Sequence, residues 1–310
     1  MLMNQGEDNT DKTKKITGIS VCICTYRRPI KLKYLLEHLV DQISDLEIKA
    51  EIIIVDNDYQ QSAKDVVEKI GNKILYKYLC EPIKNISLAR NKAVRTAQYD
   101  FIALIDDDEY PSSDWLKNFI SFYKLYPCHG VLGPVRPIFE TEPPAWISES
   151  SLFQRPEFKS GTRLKPEHMR TGNAFIMKEL FYLDDNPFDP NLGLTGGEDV
   201  DFFRRMFRRG YKFLWCNEAE VYEFIPSTRM SLNYQLSRAL SRGLAQSRMR
   251  PVNYISLAKS CLALGSYLII LPFSALFGIS RFNTYLIRLF DHIGKILGYL
   301  KLNPIKNRPE

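Results

Sequence analysis

The first third of the chain alternates short β-branched runs with segments of helical period, and that alternation leaves few folds open. "GISVCICTY" is followed by Leu32, Leu35, Leu36, Leu39, Val40 and Ile43, which recur at the spacing of one helical face. "EIIIVDND" is a second strand, and its unbroken apolar run suits a sheet covered on both faces. "KILYKYL" predicts a third strand and "NISLARNKAVRTA" a helix with Ala89, Ala93 and Ala97 on one stripe. "DFIALIDDD" predicts a fourth strand, and "SSDWLKNFISFYKLY" a helix that Ser112 or Ser113 is placed to cap. Strand and helix in this order predict an α/β domain with a mostly parallel sheet and right-handed crossovers.

Ligands of such sheets gather at the carboxyl ends of the strands. Thr25, Tyr26, Arg27 and Arg28 close the first strand, Asp56, Asn57 and Asp58 the second, and Asp106, Asp107, Asp108 and Glu109 the fourth. One Asp at a strand end is ordinary turn chemistry, but four adjacent acids raise one another's pKa unless a cation neutralises them. A hard divalent ion completed by phosphate oxygens meets that need, and Mg²⁺ or Mn²⁺ fits oxygen ligands. Side-chain alternation, continued through the run, sends Asp106 and Asp108 one way and Asp107 the other. The chain has no GxxxxGK and no suitably placed GxGxxG, which counts against a P-loop enzyme and a dinucleotide dehydrogenase. An aspartyl-nucleophile phosphatase normally has a small turn residue after its second Asp, whereas Glu109 and Tyr110 follow here.

From Gly130 to Arg170 a Pro-rich, aromatic stretch reads as a substrate-facing cover. "TGNAFIMK" predicts a strand, "GGEDVDFFRRMFRRG" a helix, and "YKFLWCNEAEVYEF" two short strands. Taken alone, Glu198, Asp199 and Asp201 in a first helical turn suit the macrodipole and the free N–H groups. The six cysteines and four histidines are scattered, without CxxC or HExxH, so neither a zinc site nor a disulfide framework is expected. A net charge of +6, with the positive excess falling after Arg204, favours a local anionic partner over nucleic acid.

Several spaced motifs together, "SVCICTYRRPIKLKYLLEHL", "IIIVDND", "ARNKA", "YDFIALIDDDEYPSSDWL", "TGN" and "TGGEDVDFFRRM", resemble family 2 glycosyltransferases of the GT-A fold over roughly residues 16 to 250. "NEAEVYEFIPSTR" resembles the branch that builds bacterial exopolysaccharides such as succinoglycan. The resemblance implies a GT-A, Rossmann-like catalytic domain over residues 16–230, after a flexible N-terminus (1–15) and before a helical membrane-associating region (231–310). It implies an inverting transferase that moves one sugar from a nucleotide-sugar donor, a UDP-sugar above all, to a lipid-linked or cell-surface polysaccharide. A non-catalytic sugar-nucleotide or glycan-binding protein on the same fold is the alternative.

By the same resemblance Asp106 and Asp108 hold Mn²⁺ or Mg²⁺ as the family's DxD element. Thr25, Tyr26, Arg27, Asp56, Asp58, Arg90, Asp106 and Asp107 form the donor-nucleotide site, with Asp56 on the nucleobase. Asp199 becomes the general base, Glu198 its neighbour at the acceptor, and Asp201 a helix cap. Gly172, Asn173, Glu223, Arg238 and Arg242 are placed at the acceptor or a diphosphate. Two departures stand out. Glu223 occupies a region where many relatives carry a metal-binding histidine, and the processive QxxRW motif has become "QLSRA", with Ala239 for Trp, which favours single-sugar addition.

The C-terminal part is a separate problem. "SCLALGSYLIILPFSALFGIS" carries no charge from Ser260 to Ser280 and is long enough for about 30 Å of helix. Basic residues flank it on both sides, at Arg248, Arg250 and Lys259 and again at Arg281, Arg288, Lys295, Lys301, Lys306 and Arg308, which opposes a simple span. Phe282, Leu286, Phe290, Ile293, Leu297 and Leu300 make a stripe expected to lie in a membrane interface. With a polar N-terminus lacking a signal-peptide core, the expectation is a monotopic or re-entrant anchor on the cytoplasmic face of a bacterial inner membrane.

Overall fold

The computed structural model describes residues 14–248 and 254–302. Most of the flexible N-terminus expected above, together with Arg250, Lys306 and Arg308, lies outside the described residues. The chain forms β1 (Gly18–Thr25), α1 (Pro29–Ser44), β2 (Lys49–Asp56), α2 (Lys64–Glu68), β3 (Tyr76–Cys80), α3 (Ile86–Thr96), β4 (Phe101–Asp106), β5 (Glu109–Pro111) and α4 (Trp115–Leu125). It continues through β6 (Gly130–Leu132), β7 (Val135–Phe139), α5 (Ala145–Ser148), β8 (Asn173–Met177), α6 (Glu198–Arg208), β9 (Phe213–Trp215) and β10 (Val221–Ile225). Three long helices close it: α7 (Leu232–Arg248), α8 (Tyr254–Ser274) and α9 (Ile279–Tyr299).

The main sheet runs β3-β2-β1-β4-β8-β6-β9, parallel from β3 to β4 and antiparallel at β8. Its first strands are buried on both faces, as their apolar runs require: Val21, Ile23, Ile53 and Ile54 have no exposure. Burying one such side chain stabilises by about 1.5–3 kcal/mol. α1 buries Leu32, Leu35, Leu36, Leu39 and Ile43, leaving Val40 at the margin. Beside β4 and β8, Phe101 stacks on Phe175 at 4.9 Å, and Tyr123 and Phe119 of α4 close around the pair. α4 starts without a side-chain cap, Ser112 contributing its backbone carbonyl to Trp115 N instead.

The stretch after Gly130 is more ordered than its composition predicts. β7 pairs with β10, and β10 with β5, in a second, three-stranded sheet. Proline and aromatic residues hid this strand because β7 is short and lies in a small sheet, where the periodic signal is weak.

α9 packs along α7. A Cβ on Gly294 would come within 2.3 Å of Leu240 O, and one on Gly243 within 2.1 Å of Asp291 O, so the two backbones touch where glycines allow it. Phe282, Leu286, Phe290, Ile293 and Leu297 are half-buried in this helical packing and only Leu300 of that stripe is exposed. The residues that α9 buries are Asn283, Ile287, Leu289 and Gly294, so the stripe is partly covered without being the main packing face. α8 differs: Leu262, Ile269 and Leu276 in and just after it are 73%, 69% and 81% exposed. Its helix continues through Pro272, and the chain turns at Gly278 into α9, which packs back against α8.

Candidate active site

The register of the main sheet sets the site. β1 pairs Thr25 with Asp56 of β2, and Cys24 with Asp106 of β4, so three strand ends reach one edge together. A cleft of about 270 Å³ opens there, and its lining includes Thr25, Tyr26, Arg28, Asn57, Arg90, Asp106, Asp107, Asp108, Arg155, Glu198, Glu223, Arg229 and Arg238.

β4 ends at Asp106, and the next two acids lie in a turn, so strand alternation stops before it can separate them. Asp107 and Asp108 consequently share a partner: Arg28 Nη1 donates to Asp107 Oδ1 at 3.0 Å and to Asp108 Oδ2 at 3.2 Å. Thr25 Oγ1 donates to Asp107 Oδ2 at 2.8 Å. Burial pushes the Asp107 carboxyl up to about 6, with Arg28 opposing and Asp108 assisting. Burial also acts to raise Asp108, but Arg28, Arg229 and Lys31 outweigh it and hold that carboxyl below its usual range. Asp108 is thus buried and multiply paired. Asp106 is the exposed member, its side chain 45% accessible.

Arg90, on α3, is buried and reaches two elements at once. Nη2 donates to Asp106 Oδ1 at 3.0 Å, and Nη1 bonds Glu198 at the start of α6. Burial alone would lower its pKa; Asp106 and Glu198 hold it above the ordinary value. Asp199, beside Glu198, accepts from Val200 N through Oδ1 at 2.7 Å, and its Oδ2 lies 3.9 Å from Arg170 Nε. Asp201 pairs with Arg205 one turn on, and Gly197 takes the N-cap position.

Other expected residues fall in different places. Asp56 is buried, with Oδ1 accepting from Asp58 N and Oδ2 from Ala63 N and the Tyr78 hydroxyl, so its oxygens hold the turn that follows it and tie that turn to β3. Arg27 adopts a left-handed backbone (φ 54°), pairs with Asp58 at 3.1 Å and leans on the Tyr26 ring. Asn173 is buried among Trp115, Pro134 and Ala219, to which it is hydrogen-bonded. Gly172 supports the acids: a Cβ there would stand 2.6 Å from Glu109 Oε1 and 3.2 Å from Asp106 Oδ2. Arg238 lines the cleft, whereas Arg242, one turn away, pairs with Asp291 of α9 at 2.8 Å and fixes the helical packing.

Sequence reasoning did not single out Arg155, Arg229 or Lys31, and it gave the buried Glu109 no role beyond membership of the acidic run. Arg229 Nη2 donates to Asp108 Oδ2 at 3.0 Å and Nη1 to Glu223 Oε1 at 2.8 Å. Arg155 Nη2 donates to the other Glu223 oxygen at 2.6 Å. Glu109 Oε2 accepts from Asp106 N, and burial, followed by Asp106, pushes its carboxyl well above the usual range. These residues come from a loop, a short turn, the first turn of α1 and the second sheet, and no local pattern announces their meeting.

Among the described residues no three His, Cys, Asp or Glu side chains group into a metal cage. Two carboxylates with hard oxygen donors nonetheless suit Mg²⁺ or Mn²⁺, which take remaining ligands from phosphates and water. Asp106 and Asp108 both line the cleft, and Asp106 uses only Oδ1 in the hydrogen bonds found among the described residues. The residues present fit such an ion.

Comparison with known proteins bears on the fold and the family. The sequence pattern of Glycosyl transferase family 2 matches residues 20–182. The succinoglycan biosynthesis protein ExoM of Rhizobium meliloti is 31% identical over 304 residues, covering 93% of this chain and 94% of that protein. A mannosyltransferase of Pyrobaculum calidifontis, solved with GDP-Man and Mn²⁺, matches with a TM-score of 0.59 and 16% identity over 92% of this chain and 88% of its own. TarS 1-349 of S. aureus, solved with UDP-GlcNAc, matches with a TM-score of 0.54 and 16% identity over 92% and 91%. These two likenesses establish the fold, which is GT-A. With the sequence pattern covering more than half of the chain and a full-length relative above 30% identity, this protein belongs to glycosyl transferase family 2.

Proposed function

We propose that the protein is an inverting, metal-dependent glycosyltransferase that moves one sugar from a nucleotide-sugar donor, a UDP-sugar in the first instance, to a lipid-linked or cell-surface polysaccharide. One observation carries this reading. Arg90 joins Asp106, from the strand ends expected to hold the donor, to Glu198, from the helix expected to receive the acceptor, across a single cleft.

The acceptor hydroxyl attacks the anomeric carbon while the bond to the diphosphate oxygen breaks on the opposite side, so the configuration inverts. Asp199 Oδ2 takes the hydroxyl proton, and the nucleoside diphosphate leaves with the bonding pair. Glu198, fixed by Arg90, orients the acceptor. Tyr26, Asn57 and Lys84 line the part of the cleft assigned to the nucleoside, and Asp56 shapes it by holding the turn that begins at Asn57. A divalent ion held by Asp106 and Asp108 would supply charge neutralisation for the leaving diphosphate.

Single addition is supported by Ala239, which has no exposure where processive relatives carry Trp. We further propose that α8 anchors the protein to the cytoplasmic face of the bacterial inner membrane without crossing it. The helix of 24 residues from Tyr254 to Phe277 is apolar, mostly exposed and long enough to enter a bilayer.

The test is release of free nucleoside diphosphate from a panel of UDP- and GDP-sugars, with and without Mn²⁺, in the presence of membrane extract as acceptor source. Metal-dependent release from one donor supports the reading. No release and no thermal stabilisation by any donor would overturn it.

A further inference from the structure

The cations of the cleft are unevenly distributed about its acids. Arg229 Nη2 at 3.0 Å, Arg28 Nη1 at 3.2 Å and Lys31 Nζ at 3.7 Å converge on one oxygen, Asp108 Oδ2. Behind them Glu223 fixes the arrangement, with Oε1 on Arg229 and Oε2 on Arg155. Gln235 Nε2 donates to Arg229 O at 2.7 Å and pins the backbone that carries this guanidinium. Glu223 lies on β10 and Lys31 on α1, so the cluster is clamped between the second sheet and the first helix.

In these contacts Arg28, Lys31, Arg155 and Arg229 face three carboxylates, Asp107, Asp108 and Glu223, which leaves the cations in excess. The surplus suits a polyanion, and the planar guanidinium forks of Arg28 and Arg229 match phosphate oxygens. The same cluster repels a divalent ion from Asp108, since the ion would share that carboxylate with three positive groups. The two partners of the site therefore have opposite relations to Asp108: the diphosphate is attracted to its cations, while the metal must displace them.

We infer that Arg28, Lys31 and Arg229 form a phosphate-binding arm that passes from Asp108 to the donor diphosphate, and that this exchange opens Asp108 to a divalent ion. The inference rests on the donor-site reading above. Arg229 keeps its second carboxylate, Glu223, throughout, so it exchanges one anionic partner for another and remains paired. Metal and nucleoside diphosphate then bind with positive coupling, each raising the affinity of the other by the same factor.

Calorimetry on the full chain tests this with Mn²⁺ alone, with UDP or GDP alone in EDTA, and with each nucleotide and Mn²⁺ together. The wild type is expected to bind Mn²⁺ weakly by itself and to bind one nucleotide measurably without metal. Arg229→Met should lower metal-free nucleotide affinity about ten- to hundredfold, the loss of a charge-assisted hydrogen bond, and should strengthen binding of Mn²⁺ alone. Lys31→Met, at a partly exposed position, should shift both in the same directions by less, and serves if Arg229→Met fails to fold. Metal-free nucleotide affinity at the wild-type level in the folded variants, or Mn²⁺ binding alone that is no tighter, overturns the exchange. A wild type that binds neither UDP nor GDP under any condition overturns the donor-site reading, and the exchange with it.

Discussion

Arg90 Nη2 donates to Asp106 Oδ1 at 3.0 Å from a guanidinium that is itself buried, while Asp106 remains nearly half exposed. The pair is asymmetric: the cation is fixed inside the protein and the anion faces the cleft. Arg90 also holds Glu198, which is 3% exposed, so its removal leaves a buried carboxylate without that cation.

Arg90→Leu is therefore expected to destabilise the fold by about 3–5 kcal/mol, the usual penalty for removing one partner of a buried ion pair. Urea unfolding measures it. A loss below about 1 kcal/mol would show that Arg90 does not join the two halves of the site.

Asp106 and Asp108 should part company under substitution. Asp106→Ala is expected to abolish the effect of Mn²⁺ on nucleotide affinity and to lower the melting temperature less than Asp108→Ala does, because Asp106 is nearly half exposed and the buried Arg90 keeps Glu198. Asp108→Ala should abolish the same effect and also lower the melting temperature, because Arg229 is left buried with Glu223 as its remaining hydrogen-bonded carboxylate. Calorimetry and thermal melts of the two variants, side by side, check both statements.

For the chemical step, Asp199→Asn keeps the shape and removes the base. Turnover should fall by roughly 10²- to 10⁴-fold while nucleotide affinity stays near wild type. Near-normal turnover would return Asp199 to its local role on Val200 N.

Glu109 gives a pH signature. Burial raises its folded pKa above the unfolded value, so the stability it contributes is fully present below the unfolded pKa and is lost as pH rises through the folded one. Glu109→Gln stays neutral and escapes that loss. The melting temperature of Glu109→Gln relative to wild type should accordingly be higher at pH 8 than at pH 5. A difference that is the same at both values would mean that Glu109 is ionised throughout.

The membrane proposal is best tested on α8 alone, since removing everything after α7 would also strip α9 from its packing face. Leu262→Asp with Ile269→Asp and Leu276→Asp changes three well-exposed positions and should move the protein from the membrane to the soluble fraction with its thermal melt retained. Retention in the membrane fraction would remove α8 as the anchor. In a Cys261→Ser background, Leu302→Cys should stay protected from an impermeant thiol reagent in intact cells, and labelling from outside would instead establish a span.

The sequence by itself determined the parallel half of the main sheet and the edge where the site lies. The apolar runs before Thr25, Asp56 and Asp106 have one burial pattern available to them, and strand polarity then brings their polar ends together. Several spaced motifs likewise identified the family. Tertiary structure decided which charges meet. Asp107 and Asp108 share Arg28 because the strand stops at Asp106, and Glu223 gathers Arg155 and Arg229 because β10 joins a second sheet that Pro-rich, aromatic sequence concealed. Arg238 and Arg242 are alike in sequence and one helical turn apart, yet one lines the cleft and the other binds Asp291 of α9. Local pattern records which residues seek burial over a few turns or a strand. The partner of a charge is set by side chains far away in sequence, which only the packed chain brings within hydrogen-bonding distance.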